Sequence, residues 1–268
     1  MTEKEYRTYP AISCTELKRL KESPEKFKYH QENPIKISSA ALTFGQALHK
    51  AVLEPDDFYN DFAVSPEFSR RTKQGKADYE AFCTSNSGKT VISADDMSII
   101  SGISKAVLEH EFCKSLLSGK HEVPYFWTDE LTGEHCKCRA DSITQINGVN
   151  YIVDLKTVAN AETTAFMKKA VDYGYHVQAA MYTEGVKANI GGECQFVFIA
   201  VEKEPPFSIN ILAASDLFMT YGADEYRHLI GIYHECKISG NWYGYLGKFN
   251  EINSLGIPAW IAKEYEKG

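Results

Sequence analysis

Two β-rich runs, His135 to Ile146 and Val149 to Lys156, meet at Asn147-Gly148. That dipeptide is the strongest short hairpin signal, because a two-residue type I′ turn needs positive φ at both central positions. The turn sets the register. With Ile146 opposite Val149, Ser142 falls opposite Val153 and Asp141 opposite Asp154. Directly opposed side chains have Cβ atoms about 4.5–5.5 Å apart, and like charges at that spacing destabilise a sheet unless something compensates. A divalent cation is the natural compensator. Hard ions such as Mg²⁺ or Mn²⁺ accept one or two carboxylates and keep further positions for water and phosphate.

Side chains alternate faces along a strand, so Asp154 and Lys156 point the same way while Leu155 points into the other layer. A lysine so placed can orient an attacking water or offset charge developing on a phosphate, while a metal lowers the water's pKa and polarises the phosphoryl oxygen. A bare Asp-x-Lys is more often a surface ion pair. Asp141 at matching register and the apolar run before Asp154 weigh against that reading here. Downstream, Gln178 and Tyr182 lie one turn apart on one face of a helical segment, from which both can reach a phosphate. Taken alone, such a pair more often means a solvated glutamine and a core tyrosine.

The rest of the chain is read from periodicity and capping. Ser13-Cys14-Thr15-Glu16 fits a capping box opening a helix to about Glu22, and Ser23-Pro24 opens a second. Residues 39 to 54 have helical spacing, with His49 on the inward face and Pro55 as the stop. Residues 56 to 90 are mixed and polar, with Ser69 to Gly75 expected as a mobile loop. A helix is expected over 94 to 117. From Val123 the pattern turns to β: Val123 to Thr128, the hairpin, then Gln195 to Val201 and Phe207 to Leu212. Helical patterns cover 161 to 171, 175 to 189 and about 214 to 239. The expected architecture is one α/β (α+β) domain over 1–268. It has a mainly helical N-terminal lobe (1–117) and a core (118–268) of a hairpin-rich mixed sheet, one helical crossover and a C-terminal helix.

Composition narrows the function. At 44% hydrophobic residues the chain can build a substantial core, and its net charge of −7 argues against coating nucleic acid by bulk attraction. Any DNA contact must be local. Two basic clusters can supply it, Lys18, Arg19, Lys21, Lys26 and Lys28, and Arg70, Arg71, Lys73 and Lys76, although each also reads as a solvated surface. Seven scattered cysteines are expected to be free thiols. Cys136-Lys137-Cys138 beside His135 lacks a second pair at zinc spacing. No stretch approaches the roughly 20 apolar residues of a membrane span and the N-terminus lacks a signal peptide's apolar segment, so a cytoplasmic location is expected.

Asp141, Val153-Asp154-Leu155-Lys156-Thr157 and Gln178-x-x-x-Tyr182 together resemble the RecB-like branch of the PD-(D/E)xK nucleases. The chain resembles most closely the RecE-type exonucleases, typified by the nuclease domain of exodeoxyribonuclease VIII. That likeness runs through Ser13 to Lys18, Phe44 to His49, Phe126-Trp127, Tyr175 to Gln178 and Ala259 to Tyr265. It implies a restriction-endonuclease-like core, a mixed central sheet flanked by helices. It also implies a Mg²⁺-dependent (Mn²⁺ as substitute) 5′ to 3′ exonuclease acting on double-stranded DNA ends, which makes 3′ tails for a RecT-type annealing partner in bacterial or prophage recombination. Carried over residue by residue, it implies His49, Asp141, Asp154 and the Leu155 carbonyl as metal positions. Glu122 becomes a further acidic position, Lys156 the catalytic lysine, and Gln178 and Tyr182 their companions. A homotetrameric ring, also implied, would hold an acidic chain on DNA by topology. An iron–sulfur RecB-like nuclease would need four cysteines bracketing the core, which the spacing does not offer. An inactive DNA-binding module and a nuclease of different polarity on the same fold stay open as alternatives.

Overall fold

The computed structural model describes residues 1–268 apart from 2, 35–38, 70, 250, 259–260 and 264–268. Its strands are β1 (Ile12–Ser13), β2 (Phe62–Ser65), β3 (Thr90–Ser93), β4 (Lys120–His121), β5 (Pro124–Thr128), β6 (His135–Arg139), β7 (Ser142–Ile146), β8 (Val149–Val158), β9 (Glu193–Glu202) and β10 (Ile209–Ala213). They form a five-stranded mixed sheet ordered β10-β9-β8-β7-β4, a three-stranded sheet β1-β6-β5, and a parallel pair β2-β3. The hairpin register is as expected, from Ile146 opposite Val149 to Ser142 opposite Val153, with Asn147 at φ 51° and Gly148 at φ 84°.

β8 and β9 run parallel at the centre of the large sheet, joined by the crossover helices Thr163–Asp172 and Tyr175–Ile190. Strands covered on both faces need apolar residues at successive positions, and Phe196-Val197-Phe198-Ile199-Ala200-Val201 supplies them. One face carries Ile152, Phe196, Phe198 and Ala200 into a core shared with Val177 and Met181 of the second crossover helix and with Tyr226 and Leu229 of the C-terminal helix, Asp216–Ser239. The opposite face carries Val153, Leu155, Val197 and Ile199 against Phe44 and Leu48 of the helix Ala40–Leu53 and Ile100 and Ile103 of the helix Ala94–Glu109. The helices Ala40–Leu53 and Ala94–Glu109 thus cover one side of the sheet, while the crossover and C-terminal helices cover the other, joined there by Cys14–Leu20 and Pro24–Glu32. No helix among the described residues is long and apolar enough to cross a membrane, and all seven cysteines are free.

Four expectations need correction. The run His135 to Ile146 is not one strand: it breaks at Ala140-Asp141, and β6 joins a separate sheet between β1 and β5. The local signal for the break is weak, because Ala140 and Asp141 are both buried and no Gly or Pro accompanies the single aspartate. The helix expected over 94 to 117 splits at His110, whose Nδ1 accepts from the Cys113 amide and caps a new helix, Glu111–Leu116, in place of the usual Ser, Thr, Asp or Asn. Among residues 56 to 90 the described residues form β2, β3 and the helix Lys73–Ser85. The end of the segment expected as a mobile loop, Lys73 to Gly75, is instead a capped helix start, since Thr72 accepts from the Gly75 amide and Gly75 lies so close to the Ser69 carbonyl that a Cβ would clash with it. Arg70 falls outside the described residues, as do Ala259, Trp260, Glu264 and Tyr265.

The C-terminal helix is locked down by Arg227, which pairs with Asp129 from the β5–β6 turn and with Glu184 from the crossover helix. Asp129 is fully buried. Burial alone would raise its pKa, but the Thr132 hydroxyl and amide together with Arg227 hold it below the usual carboxylate range. A depressed folded-state pKa contributes stability that is present above the unfolded value, near 4, and is lost as pH falls through the folded value. Arg227→Met is therefore expected to cost about 2–4 kcal/mol at pH 7, less than a fully buried pair because the guanidinium is half-exposed, and to show a shallower decline below about pH 4. Urea unfolding at pH 7 and pH 3 measures both.

Candidate active site

The site forms where a strand loses its neighbour. β7 begins at Ser142, so beyond Val153 the β7-facing edge of β8 has no ladder partner. Buried backbone groups must be satisfied somehow, and side chains take over. The Leu155 amide donates to Asp141 Oδ2 at 2.6 Å, and the Leu155 carbonyl accepts from His49 Nε2 at 2.8 Å. A carbonyl can only accept, so Nε2 carries a proton. The other ring nitrogen, Nδ1, lies 3.3 Å from Asp141 Oδ1.

A third acid joins from the opposite edge. β4 pairs with β7 as Lys120 opposite Ile143 and His121 opposite Ser142, so the same count brings Glu122 level with Asp141. The Glu122 amide duly donates to the Asp141 carbonyl at 3.2 Å. Glu122, Asp141 and Asp154 therefore stand in register across three adjacent chain segments. Glu122 has φ 51°, a left-handed conformation that a residue with a long side chain rarely adopts and that persists only where its surroundings impose it. Its carboxylate is held by Arg139, with Nε 2.8 Å from Oε2.

On β8 itself, Asp154 is 2% exposed. Its Oδ1 accepts from Gln178 Nε2 at 2.5 Å, while Oδ2 faces Lys156 Nζ at 2.5 Å as an ion pair. The Lys156 ammonium also lies 5.0 Å from the centre of the Tyr175 ring. Gln178 reaches this position because Gly174, at φ 64°, starts the crossover helix in a left-handed conformation, with the Lys18 stem packed where a Cβ would be. Tyr182, one turn beyond Gln178, is half-buried and packs on the core with its ring 6.3 Å from Phe196. Its phenol is pushed well above its usual pKa by burial.

Of the basic residues, Lys18 comes to the site's margin: its ammonium donates to the Tyr173 carbonyl at 3.2 Å and lies 5.9 Å from the Tyr175 ring. Arg19 is exposed on the same helix, Cys14–Leu20. Lys21, Lys26 and Lys28 are taken up by Glu225, Glu22 and Glu32. Arg71, Lys73 and Lys76 are exposed at the start of the Lys73–Ser85 helix, and no hydrogen bond or ion pair among the described residues joins them to the acidic row.

Residues 13–254 match the family described as PDDEXK-like domain of unknown function (DUF3799). The chain belongs to that family. Its fold is also that of a crystal structure from Eubacterium rectale described as a "Putative exonuclease", which aligns with TM-score 0.65 at 18% identity over 98% of this chain and 97% of the other. The crystal structure of SSO0001 aligns at TM-score 0.33 and 13% identity over 74% of this chain and 88% of that one. Among curated proteins nothing matches.

The PDDEXK-like site has the donor chemistry of a divalent-cation site. One ligand atom each from His49, Glu122 and Asp141 lies within 4.8 Å of the others, and the buried Asp154 carboxylate stands beside them with Oδ2 on the Lys156 ammonium. The electrostatics show acids pressed together. Glu122 is pushed up to about 7 by burial and by Asp141, against the pull of Arg139. Burial, reinforced by Asp141, raises Asp154 more than Lys156 lowers it. Asp141 goes the other way: burial would raise it, but His49, Lys156 and the Leu155 amide hold it down. Burial works to lower the His49 pKa, and Asp141 overcomes it, lifting the imidazole to about 9.

In EDTA, NMR titration is therefore expected to find His49 protonated at neutral pH with a pKa near 9, falling to 6.5 or below in Asp141→Asn, where burial is no longer overcome. The same substitution is expected to cost about 1–3 kcal/mol at pH 7, since the buried Leu155 amide loses a charged acceptor. Because the raised His49 pKa stabilises the fold below the unfolded value near 6.5 and that stability is lost as pH rises through 9, Asp141→Asn should also flatten the decline over that window.

Proposed function

We propose that the chain is a divalent-metal-dependent exonuclease that digests double-stranded DNA from 5′ ends and leaves 3′ single-stranded tails. One observation carries the reading: Asp154 and Lys156 share a face of β8, in register with Asp141 and Glu122 and beside His49, where the sheet edge is open. A pure binding module gains nothing from three acids in a row beside phosphate.

The ion of this reading is Mg²⁺, with Mn²⁺ as a substitute, held by Asp141 and Asp154 with His49, Glu122 and the Leu155 carbonyl as further donors. The His49–Leu155 bond does not exclude either of them, because the carbonyl has a second lone pair and His49 keeps Nδ1 on the Asp141 side. Bound there, the cation would lower the pKa of a water and polarise a phosphoryl oxygen. Lys156 supplies a fixed positive charge beside the phosphate and orients the water. Gln178 holds Asp154 in its rotamer, and Tyr182 acts from the core by seating the helix that carries Gln178. Lys18 and Arg19 contact phosphates next to the site, and Arg70, Arg71, Lys73 and Lys76 contact flanking duplex. The RecE-type motifs support the wider setting: a homotetrameric ring around DNA, a RecT-type annealing partner, and the cytoplasm of a bacterium or of a phage host.

The test is digestion of linear duplex labelled separately at its 5′ and 3′ ends, with Mg²⁺ or EDTA, beside a closed circle. Rapid Mg²⁺-dependent release of the 5′ label with the circle intact is expected. Cleavage of the circle would identify an endonuclease, and release of the 3′ label first would reverse the polarity. Asp154→Ala should abolish hydrolysis with the fold retained by circular dichroism. Lys156→Ala should lower kcat on the order of 100-fold or more while calorimetry finds metal affinity within a few-fold of wild type. Equal loss of metal affinity in both variants would remove the lysine from its assigned role.

A further inference from the structure

The Asp-x-Lys pair is gripped by a second pair of residues at matching spacing. Asp154 and Lys156 are two apart on one face of a strand, and Tyr175 and Gln178 are three apart on one face of the helix that packs over it. Gln178 takes the carboxylate, and the ring of Tyr175 takes the ammonium, 5.0 Å from its centre. That ring is itself immobilised. It stacks on Phe198 of β9 at 5.7 Å and 26°, with Phe166 and Tyr173 at 6.1 and 5.8 Å, and the Lys18 ammonium approaches it at 5.9 Å.

An ammonium on a flexible four-carbon stem has many places to go, and in this site the obvious one is Asp154 Oδ2, at 2.5 Å. A lysine bound only to that carboxylate would follow it wherever the carboxylate turned. An aromatic face attracts a cation without consuming any of its three hydrogen-bond donors, so a ring-held ammonium keeps its donors for phosphate oxygens. We propose that Tyr175 is a positioning residue of the nuclease site, its ring holding the Lys156 ammonium in place through a cation–π contact. The inference rests on the nuclease reading given above and deepens it.

Replacement by leucine tests packing as much as charge, so the decisive series keeps the shape of the ring. Phenylalanine at position 175, followed by phenylalanines bearing one to five fluorines, withdraws electron density from the ring face step by step at nearly constant size. Tyr175→Phe should retain kcat within about two-fold. Increasing fluorination should then lower kcat progressively, to on the order of ten-fold at full substitution, with KM for duplex ends and the thermal midpoint unchanged. A Lys156→Ala background should abolish the trend. A flat kcat across the series, or a loss already complete in Tyr175→Phe, overturns the assignment. Absence of any metal-dependent hydrolysis by the wild-type protein overturns the nuclease reading and this inference with it, whereas activity insensitive to fluorination overturns this inference alone.

Discussion

The site depends on two backbone groups at Leu155. A central strand normally satisfies both edges through its neighbours, yet β7 stops one residue short of covering Asp154 and its successor. An unsatisfied buried amide costs about 1–3 kcal/mol, so the fold must answer for it. It does so with Asp141 and His49, residues that arrive from the start of β7 and from the helix Ala40–Leu53. Satisfying the backbone and assembling an acid–imidazole cluster are the same event. An Asp141 carboxylate committed to the Leu155 amide cannot retreat into solvent, and His49 is drawn in beside it.

The two-faced core explains why the parts converge. The helices Ala40–Leu53 and Ala94–Glu109 pack on the Val153 and Leu155 face, which brings His49 to the open edge from one side of the sheet. The crossover helix packs on the other face, which brings Gln178 and Tyr175 down onto Asp154 and Lys156. The alternation of β8, with Val153 and Leu155 into one layer and Asp154 and Lys156 toward the other, is the hinge of the arrangement. The electrostatic consequence is a set of acids shifted apart, Asp141 down and Asp154 and Glu122 up, in a space where added positive charge favours the ionised forms.

Much of this was legible in the chain because it rests on local rules. Asn147-Gly148 sets the hairpin register, and strand alternation then places Asp141, Asp154 and Lys156 without knowledge of anything distant. Helical spacing likewise shows that His49 faces inward and that Gln178 and Tyr182 share a face. What local rules missed were breaks without Gly or Pro: Ala140-Asp141, where one run becomes strands of two sheets, and His110, where an imidazole caps a helix. The short β4 was also silent, and with it the register that aligns Glu122.

The sequence by itself determined the carboxylate pair, the lysine beside it and the class of core able to present them, because turn chemistry and period-two alternation act between near neighbours. Only the tertiary structure decided which distant groups complete the site. His49 binds across to Leu155, 106 residues away, and Glu122 meets Asp141 through β4. The same packing left Tyr182 in the core while it set Tyr175 under the lysine. Such choices depend on how two layers of helices settle against opposite faces of one sheet, and no stretch of neighbouring residues encodes that packing.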